Sequence, residues 1–456
     1  MVMGSIPQQV DVAVVGAGVG GYVAAIRAAQ MGASVALVEK EKLGGHCLNY
    51  ACIPSKTLIK ISDIFYEATH SDKFGISGTA SLDSKKMYDW RMSASKKLED
   101  GVGFLCKSYG IDVFKDEAAF MSSNTLNLMT NGMTLEFKKA VIATGSEPIA
   151  LKGFEFGGTV IDYKQALMLD KVPRSMAIIG AGYVAVEIGT LYAKLGCKVS
   201  IIARSDVLSH FDADAVALVK KHLSAFGVEV CTGVTPASHD SGSVTLSDGR
   251  KLDAELIVVA VGLRPYTDNL GLERTMVQKD DKGFIQVDRS MRTADQGIFA
   301  VGDVIGEPML AHKAIRQGVV AAEAALGKSS SFDNIVIPAV IFSDPEVAVA
   351  GSVEPADGIT VTKFPLTALG RSIALDRKDG FVKVASTADG MVKGVEIVSD
   401  EASSMISEAA LAIEMGATLE DLAITIHPHP TYSEAVQEAA EAALGAPIHF
   451  FYGKKK

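Results

Sequence analysis

A strand, a glycine-rich turn, a helix and a second strand follow one another near the start of the chain. Residues 10–15, V-D-V-A-V-V, predict a buried strand, and the helix after the turn is expected to run to about Met31. The turn carries the spacing G-x-G-x-x-G, formed by Gly16, Gly18 and Gly21. This pattern is typical of dinucleotide-binding domains. The first glycine permits a tight turn, the second lets a pyrophosphate approach the backbone, and the third lets helix and strand pack closely.

The same pattern occurs twice. In the first copy the second strand, residues 34–38, ends at Glu39, about 20 residues beyond the glycines, where a carboxylate accepts hydrogen bonds from ribose hydroxyls. The second copy starts 164 residues later, counted from position 16 to position 180, with a strand at residues 176–179. Its turn consists of Gly180, Gly182 and Ala185. The sequence therefore predicts an α/β protein with two doubly wound domains, each binding one dinucleotide.

The two copies differ at the residue that faces the ribose. Ala203 stands where the first copy has Glu39, and Arg204 follows it. An acid at this place would repel a 2′-phosphate, whereas Ala203 does not, and Arg204 can pair with the phosphate. The second site is therefore predicted to take NADP(H). The alternative is that Arg204 is a solvated loop residue and that the site takes NAD(H).

Two cysteines lie close together just after the first nucleotide motif. Cys47 and Cys52 belong to the stretch G-G-H-C-L-N-Y-A-C-I-P-S-K, residues 44–56, and Pro54 suits the first turn of a helix. A thiolate near a helix N-terminus is stabilised, so its pKa is expected to fall. The pair predicts redox chemistry. The alternatives are a structural disulfide or half of a zinc site, but zinc needs two more ligands at suitable spacing, so no metal is predicted. The other cysteines occur singly, at Cys106, Cys197 and Cys231.

Length and charge exclude several classes of protein. A chain of 456 residues is expected to form two to four domains. The net charge of −10 argues against a nucleic-acid partner. The start of the sequence lacks the basic region of a signal peptide, and no apolar run of about 20 residues predicts a membrane span. A lone redox pair fits a reducing compartment, so a cytoplasmic location is expected. The lysines at 454–456 predict a solvated tail.

Further motifs identify a family. They are A-T-G at 143–145, V-G-L-R-P at 261–265, I-F-A-V-G-D-V at 298–304, M-L-A-H-K-A at 309–314 and H-P-H-P-T-Y-S-E at 427–434. Together with the redox stretch, they make the whole chain resemble the two-dinucleotide flavoprotein disulfide reductases, and among them the dihydrolipoamide dehydrogenases. The resemblance implies four domains. These are an FAD-binding domain at 1–149, an NAD(P)-binding domain at 150–267, a central domain at 268–337 that completes the FAD site, and an α+β dimerisation domain at 338–456.

The resemblance also implies cofactor contacts. FAD would occupy the first site, with Glu39 on its adenosine ribose and Asp303 on its ribityl chain. Lys56 would lie beside the flavin N5 region, paired with Glu187 from the helix of the second site. Tyr183 would cover the nicotinamide pocket, a feature closer to glutathione reductase. The resemblance implies further cofactor contacts at Thr144, Gly145, Gly262 and Gly302.

A mechanism follows from the residues and the resemblance. His429, oriented by Glu434, would take the proton of a substrate thiol, and in the implied homodimer this pair would serve the other subunit's cysteines. The substrate thiolate would attack Cys47 and release Cys52 toward the flavin, from which hydride passes to NAD(P)+. The implied partner is a lipoyl-bearing protein of a 2-oxo acid dehydrogenase or glycine-cleavage-type system.

Two other functions remain open. One is an NADPH-dependent reductase of a small disulfide of the glutathione or coenzyme A type. The other is a non-enzymatic FAD-containing subunit, which the presence of every reactive residue disfavours. His46, where the family usually has Thr, and Ala51, where it often has Gly, flank the cysteines and are expected to affect the disulfide potential. Of the two histidines in H-P-H-P, His427 is expected to be structural.

Overall fold

The computed structural model describes residues 8–130 and 132–451, so the predicted lysine tail lies outside the described residues. The chain divides into two compact units, one of Met1–Val172 with Val261–Asp333 and one of Pro173–Ala260 with Asn334–Lys456. The four domain boundaries expected from the sequence stay a prediction. In the described part of the chain, no helix is long and apolar enough to span a membrane.

The described residues form helices and strands throughout. In chain order the helices are α1 (Val19–Gln30), α2 (Gly45–Asn49), α3 (Cys52–Thr69), α4 (Ser84–Ser108), α5 (Tyr163–Ala166), α6 (Tyr183–Lys194), α7 (Ala213–Ala225), α8 (Ala311–Ala325), α9 (Gly370–Ala374), α10 (Ala402–Met415), α11 (Leu419–Ile424) and α12 (Glu434–Ala443). The strands are β1 (Gln8–Val15), β2 (Val35–Glu39), β3 (Asp112–Lys115), β4 (Ala118–Ser122), β5 (Thr125–Leu128), β6 (Thr134–Ile142), β7 (Ser146–Pro148), β8 (Val160–Ile161), β9 (Ser175–Ile179), β10 (Lys198–Ala203), β11 (Glu229–Thr232), β12 (Pro236–Asp240), β13 (Ser243–Leu246), β14 (Lys251–Asp253), β15 (Leu256–Val259), β16 (Leu263–Pro265), β17 (Ile298–Ala300), β18 (Ala339–Ile341), β19 (Glu346–Gly351), β20 (Ile359–Pro365), β21 (Phe381–Thr387) and β22 (Val392–Ser399).

The first unit is built on a sheet with a parallel centre. Its strand order is β3-β2-β1-β6-β5-β4, with β17 parallel to β6. Successive residues of β1 point to opposite faces of the sheet and belong to different apolar clusters. Val12 and Val14 pack with α1 on one face, and Ala13 and Val15 pack on the other. Burial on both faces explains the continuous apolar strand sequence. The predicted order of strand, glycine turn, helix and strand ending at Glu39 is confirmed.

The second unit repeats the doubly wound pattern and adds an antiparallel sheet. Strands β11-β10-β9-β15 are parallel, and the small antiparallel sheet β12-β13-β14 follows in the chain. Strands β18-β19-β22-β21-β20 form the antiparallel sheet of the C-terminal segment. One face of that sheet packs against α10 and α12 in a single apolar core. The predicted class, two doubly wound sheets plus a C-terminal α+β segment, is confirmed.

Candidate active site

The glycines of the first turn have the backbone geometry that their spacing predicted. Gly16 has φ +94°, and a Cβ there would lie 2.4 Å from the Ala143 carbonyl oxygen. A Cβ on Gly21 would lie 1.9 Å from the carbonyl oxygen of Gly16, so helix and strand pack too closely for any side chain. A Cβ on Gly18 would meet only one atom, 3.9 Å away. The N-terminus of α1 is therefore open to a pyrophosphate.

Glu39 lies at the edge of a cleft beside this turn. Its Oε2 accepts a hydrogen bond from the Ala17 N–H (2.7 Å) and its Oε1 accepts one from the Glu41 N–H (2.8 Å). Burial raises the pKa of Glu39, and the two backbone hydrogen bonds oppose this shift. The cleft is lined by residues that include Gly16, Glu39, Lys40, Thr144, Tyr266 and Asp268. A carboxylate, an open helix terminus and an aromatic wall together fit the ribose, phosphate and adenine of FAD.

Tyr266 connects the A-T-G motif at 143–145 to the end of the V-G-L-R-P motif at 261–265. The Thr144 hydroxyl donates to the Tyr266 carbonyl oxygen (2.7 Å), and the Tyr266 N–H donates to the Gly145 carbonyl oxygen (2.9 Å). Gly262, in the left-handed region at φ +133°, accepts a hydrogen bond from the Ile149 N–H at 3.1 Å. The sequence did not single out Tyr266, or the Lys40 ammonium 3.7 Å from the centre of its ring. No motif carries either residue.

Asp303 lies in a buried 3-10 turn that begins at Gly302. Its Oδ2 accepts a hydrogen bond from the Ser146 hydroxyl (2.7 Å). Burial raises the pKa of Asp303, while the Ser146 hydrogen bond and the Lys313 ammonium lower it. The Gly302 N–H donates to Gln317 Oε1 at 3.0 Å. A fixed, partly buried carboxylate at this place suits the predicted contact with ribityl hydroxyls.

The redox stretch packs against the glycine turn. Gly44 forms a parallel bridge with Gly18, and a Cβ on Gly45 would lie 2.6 Å from the Gly18 Cα. Cys47 lies in α2, and Cys52 is the first residue of α3. Because α2 begins beside the turn, Cys47 in that helix adjoins the dinucleotide site.

The expected fall in thiol pKa is wrong for Cys47. A hydrogen bond with the Cys52 thiol, followed by burial, raises the pKa of Cys47, and the Lys56 ammonium opposes this only in part. A proton shared between two adjacent sulfurs is harder to remove than one on a single thiol. The helix-terminus argument considered each sulfur alone and therefore missed this coupling.

His46 adds no positive charge beside Cys47. Burial lowers the pKa of His46 to about 4, and the Lys164 ammonium adds to this shift. The imidazole is therefore neutral at ordinary pH, with its Nδ1 3.4 Å from the Tyr163 hydroxyl. Ala51 precedes α3, and its N–H donates to the His46 carbonyl oxygen (2.8 Å).

The two histidines of H-P-H-P differ in their surroundings. His429 Nδ1 lies 2.7 Å from Glu434 Oε1, and this imidazole is 77 % exposed. The second oxygen of Glu434 accepts from the Thr431 N–H (2.8 Å), which fixes the carboxylate. The His427 side chain is 5 % exposed, with one ring nitrogen 2.8 Å from Glu408 Oε1 and the other 2.9 Å from a backbone carbonyl oxygen. His429 as the base stays a prediction, and of the two rings it is the exposed one.

The second nucleotide turn follows the first in its geometry. Gly180 has φ +132°, and a Cβ there would lie 2.2 Å from the Ala260 carbonyl oxygen, while a Cβ on Gly182 would meet nothing within 4 Å. Tyr183 begins α6 and is 41 % exposed. Ala203 is buried at the end of β10, and Arg204 after it is exposed. Within the described ranges Arg204 makes no ion pair or hydrogen bond, so it is available to a ligand.

Glu187 is buried on α6. Its Oε1 accepts a hydrogen bond from the Phe342 N–H (3.0 Å). Glu187 and Lys56 belong to different units, and their pairing stays a prediction. Across residues 8–130 and 132–451, no group of three or more His, Cys, Asp or Glu side chains could hold a metal ion.

Known proteins resemble this chain over nearly its whole length. A protein from Geobacillus stearothermophilus named dihydrolipoyl dehydrogenase is 45 % identical, with 98 % of this chain and 99 % of the relative aligned. Proteins of the same name from Bacillus subtilis and Halobacterium salinarum are 43 % and 42 % identical over the same shares. The crystal structure of LpdA from Mycobacterium tuberculosis superposes with a TM-score of 0.88 at 26 % identity, covering 96 % of this chain and 99 % of that one.

Family models cover both parts of the chain. The model described as pyridine nucleotide-disulphide oxidoreductase matches residues 10–318, and the one for the dimerisation domain of the same family matches residues 337–440. The first contains both glycine turns and the redox cysteines, and the second contains the His429–Glu434 pair. The chain belongs to the pyridine nucleotide-disulphide oxidoreductase family.

Proposed function

We propose that this chain is an FAD-dependent dihydrolipoamide dehydrogenase that oxidises protein-bound dihydrolipoyl groups and reduces NAD(P)+. The observation that carries the proposal is the packing of the Cys47–Cys52 stretch against the first glycine turn, through the Gly18–Gly44 bridge. A dithiol in that place would be able to exchange electrons with a flavin cofactor held at the N-terminus of α1. The relatives named dihydrolipoyl dehydrogenase support the substrate class.

The reaction balances as two exchanges of an electron pair. A dihydrolipoyl dithiol becomes a disulfide while the Cys47–Cys52 disulfide becomes two thiols, so two electrons and two protons enter the protein. FAD, when bound, supplies the route by which this electron pair reaches the nicotinamide as hydride. The cysteines return to the disulfide, and the products are NAD(P)H and one proton.

The polypeptide's part is to move protons and hold sulfurs. The exposed Nε2 of His429 takes the proton of the substrate thiol, because Nδ1 is held by Glu434. The resulting thiolate attacks Cys47, and a mixed disulfide forms as Cys52 leaves as a thiolate at the N-terminus of α3. Lys56, four residues further along α3, stabilises negative charge there.

The matched dimerisation domain supports a homodimer in which the His429–Glu434 pair of one protomer serves the cysteines of its partner. We propose a lipoyl-bearing protein of a 2-oxo acid dehydrogenase or glycine-cleavage-type system as the partner. A reducing compartment such as the cytoplasm suits a catalytic dithiol.

The test is to give the purified yellow protein dihydrolipoamide and to follow the absorbance of reduced nicotinamide with NAD+ and NADP+ in parallel. Turnover that is lost on Cys52→Ser and kept on Cys231→Ser, a buried cysteine outside the redox stretch, is expected. The proposal would be overturned if the flavin-loaded protein does not oxidise dihydrolipoamide and instead reduces glutathione disulfide or coenzyme A disulfide with NADPH.

A further inference from the structure

Lys313 is a buried lysine that the mechanism above does not use. It is 6 % exposed and lies in the first turn of α8, at the third residue after the cap Leu310. Burial lowers the pKa of Lys313, and a cation at a helix N-terminus also faces the positive end of the helix dipole. Two unfavourable effects on one charge mean that strong local contacts must hold it in place.

The contacts of Lys313 are with the turn that contains Asp303. The Lys313 ammonium donates to the Gly306 carbonyl oxygen (2.7 Å) and to the Pro308 carbonyl oxygen (3.0 Å). The carboxylates of Asp303 and Glu307 favour its charge from a longer distance. We name residues 302–308 the Asp303 turn.

A second side chain of α8 holds the other end of the Asp303 turn. Gln317 lies four residues after Lys313 and therefore on the same face of the helix. Its Oε1 accepts a hydrogen bond from the Gly302 N–H at 3.0 Å. Gln317 thus fixes the first residue of the turn and Lys313 fixes its last residues, with Asp303 between them.

We infer that Lys313 is a positioning residue for the flavin, which acts by clamping the Asp303 turn and by keeping the Asp303 carboxylate charged and in place. The inference rests on FAD being the cofactor of the proposed function. Lys313 does not touch the cofactor in this scheme. It holds the partly buried carboxylate that the ribityl hydroxyls would meet, and it compensates a charge that burial disfavours.

The experiment measures FAD affinity and not turnover. Apoprotein is prepared from wild type, Lys313→Met, Lys313→Gln and Lys328→Met, its fold is checked by circular dichroism, and the dissociation constant for FAD is measured by flavin fluorescence. Met keeps an unbranched chain of similar length without donors or charge. Lys328 is an exposed lysine just after the same helix and serves as the matched control. We expect Lys313→Met to weaken FAD binding about 10- to 100-fold and Lys328→Met to leave it unchanged.

A double-mutant cycle with Asp303→Asn separates this role from simple packing. If Lys313 acts through the carboxylate, the loss caused by Lys313→Met shrinks at least about fivefold in the Asp303→Asn background. An equal loss in both backgrounds, or wild-type affinity in Lys313→Met, would overturn the inference. If the Met variant does not fold, Lys313→Gln carries the test, and wild-type FAD affinity in that variant would overturn it. A wild-type protein that binds no FAD would instead refute the proposed function.

Discussion

A buried glutamate in the antiparallel sheet of the second unit gives the sharpest prediction about stability. Glu396 on β22 is 1 % exposed and lies directly opposite Lys383 on β21. Its Oε2 has no hydrogen-bond partner among the described residues. Burial raises the pKa of Glu396 from its ordinary value of 4.5 to about 8. The carboxylates of Asp212 and Asp214 add to this shift, while Lys383 opposes it.

The sign of the pH effect follows from this shift. The folded protein holds the Glu396 proton up to about pH 8, whereas the unfolded chain loses it near 4.5. The folded state therefore binds more protons in that window, so the contribution of Glu396 to stability is fully present below the lower value and is lost as the pH rises toward the higher one. The contribution falls by at most about 1.4 kcal/mol per pH unit, and more slowly near each pKa, so the loss between about pH 5 and about pH 8 amounts to roughly 3 to 4 kcal/mol.

Glu396→Gln removes this titration and keeps a neutral side chain of the same shape. We expect the variant to gain stability over wild type as the pH rises. Unfolding entropy of about 2.1 cal/mol/K per residue gives roughly 1 kcal/mol per degree for 456 residues, so the difference in midpoint should grow by about 3 to 4 °C from pH 5 to pH 8. The assay is thermal unfolding at matched ionic strength, with the exposed Glu354→Gln as control. A difference that stays constant with pH would refute the reasoning.

Three further changes test the site. His429→Gln should lower kcat for dihydrolipoamide about 10²- to 10⁴-fold, because the substrate thiol loses its base. NADH-driven reduction of a quinone that takes electrons from the flavin should stay unchanged. Equal losses in both steady-state assays would contradict this role. Gly21→Ala should abolish FAD retention, measured by flavin fluorescence, since the new Cβ would lie 1.9 Å from a backbone oxygen, whereas Gly101→Ala, with nothing within 4 Å, should retain it. Arg204→Glu should raise KM for NADP+ at least about tenfold and leave KM for NAD+ near its original value, and an equal change for both nucleotides would show that Arg204 does not read the 2′-phosphate.

The local motifs could be predicted from the sequence because each is formed by a short, contiguous stretch of residues. The strand, glycine turn and helix of a dinucleotide site occupy about 25 residues, and backbone geometry demands glycine at fixed places. The positive φ angles of Gly16 and Gly180 could therefore be expected from the local spacing alone, without their tertiary contacts. The position of Cys52 at the start of α3 followed in the same way from Pro54.

The thiol and histidine environments were harder to predict. The direction of the pKa shift at Cys47 depends on its coupling to Cys52 and on burial, neither of which a helix-terminus argument contains. Likewise, the spacing of His427 and His429 does not show which ring is buried against Glu408. These properties depend on which atoms surround a side chain in three dimensions.

The sequence by itself determined the two doubly wound domains, the redox pair and the family, because those features are repeated or contiguous patterns whose geometry is local. Only the tertiary structure brought Ser146 to Asp303, 157 positions away, and placed Lys313 against the same turn. Only it set Glu396 among Asp212, Asp214 and Lys383. Charge and proton affinity in a protein depend on burial and on neighbours from distant parts of the chain, and these exist only after the chain has folded.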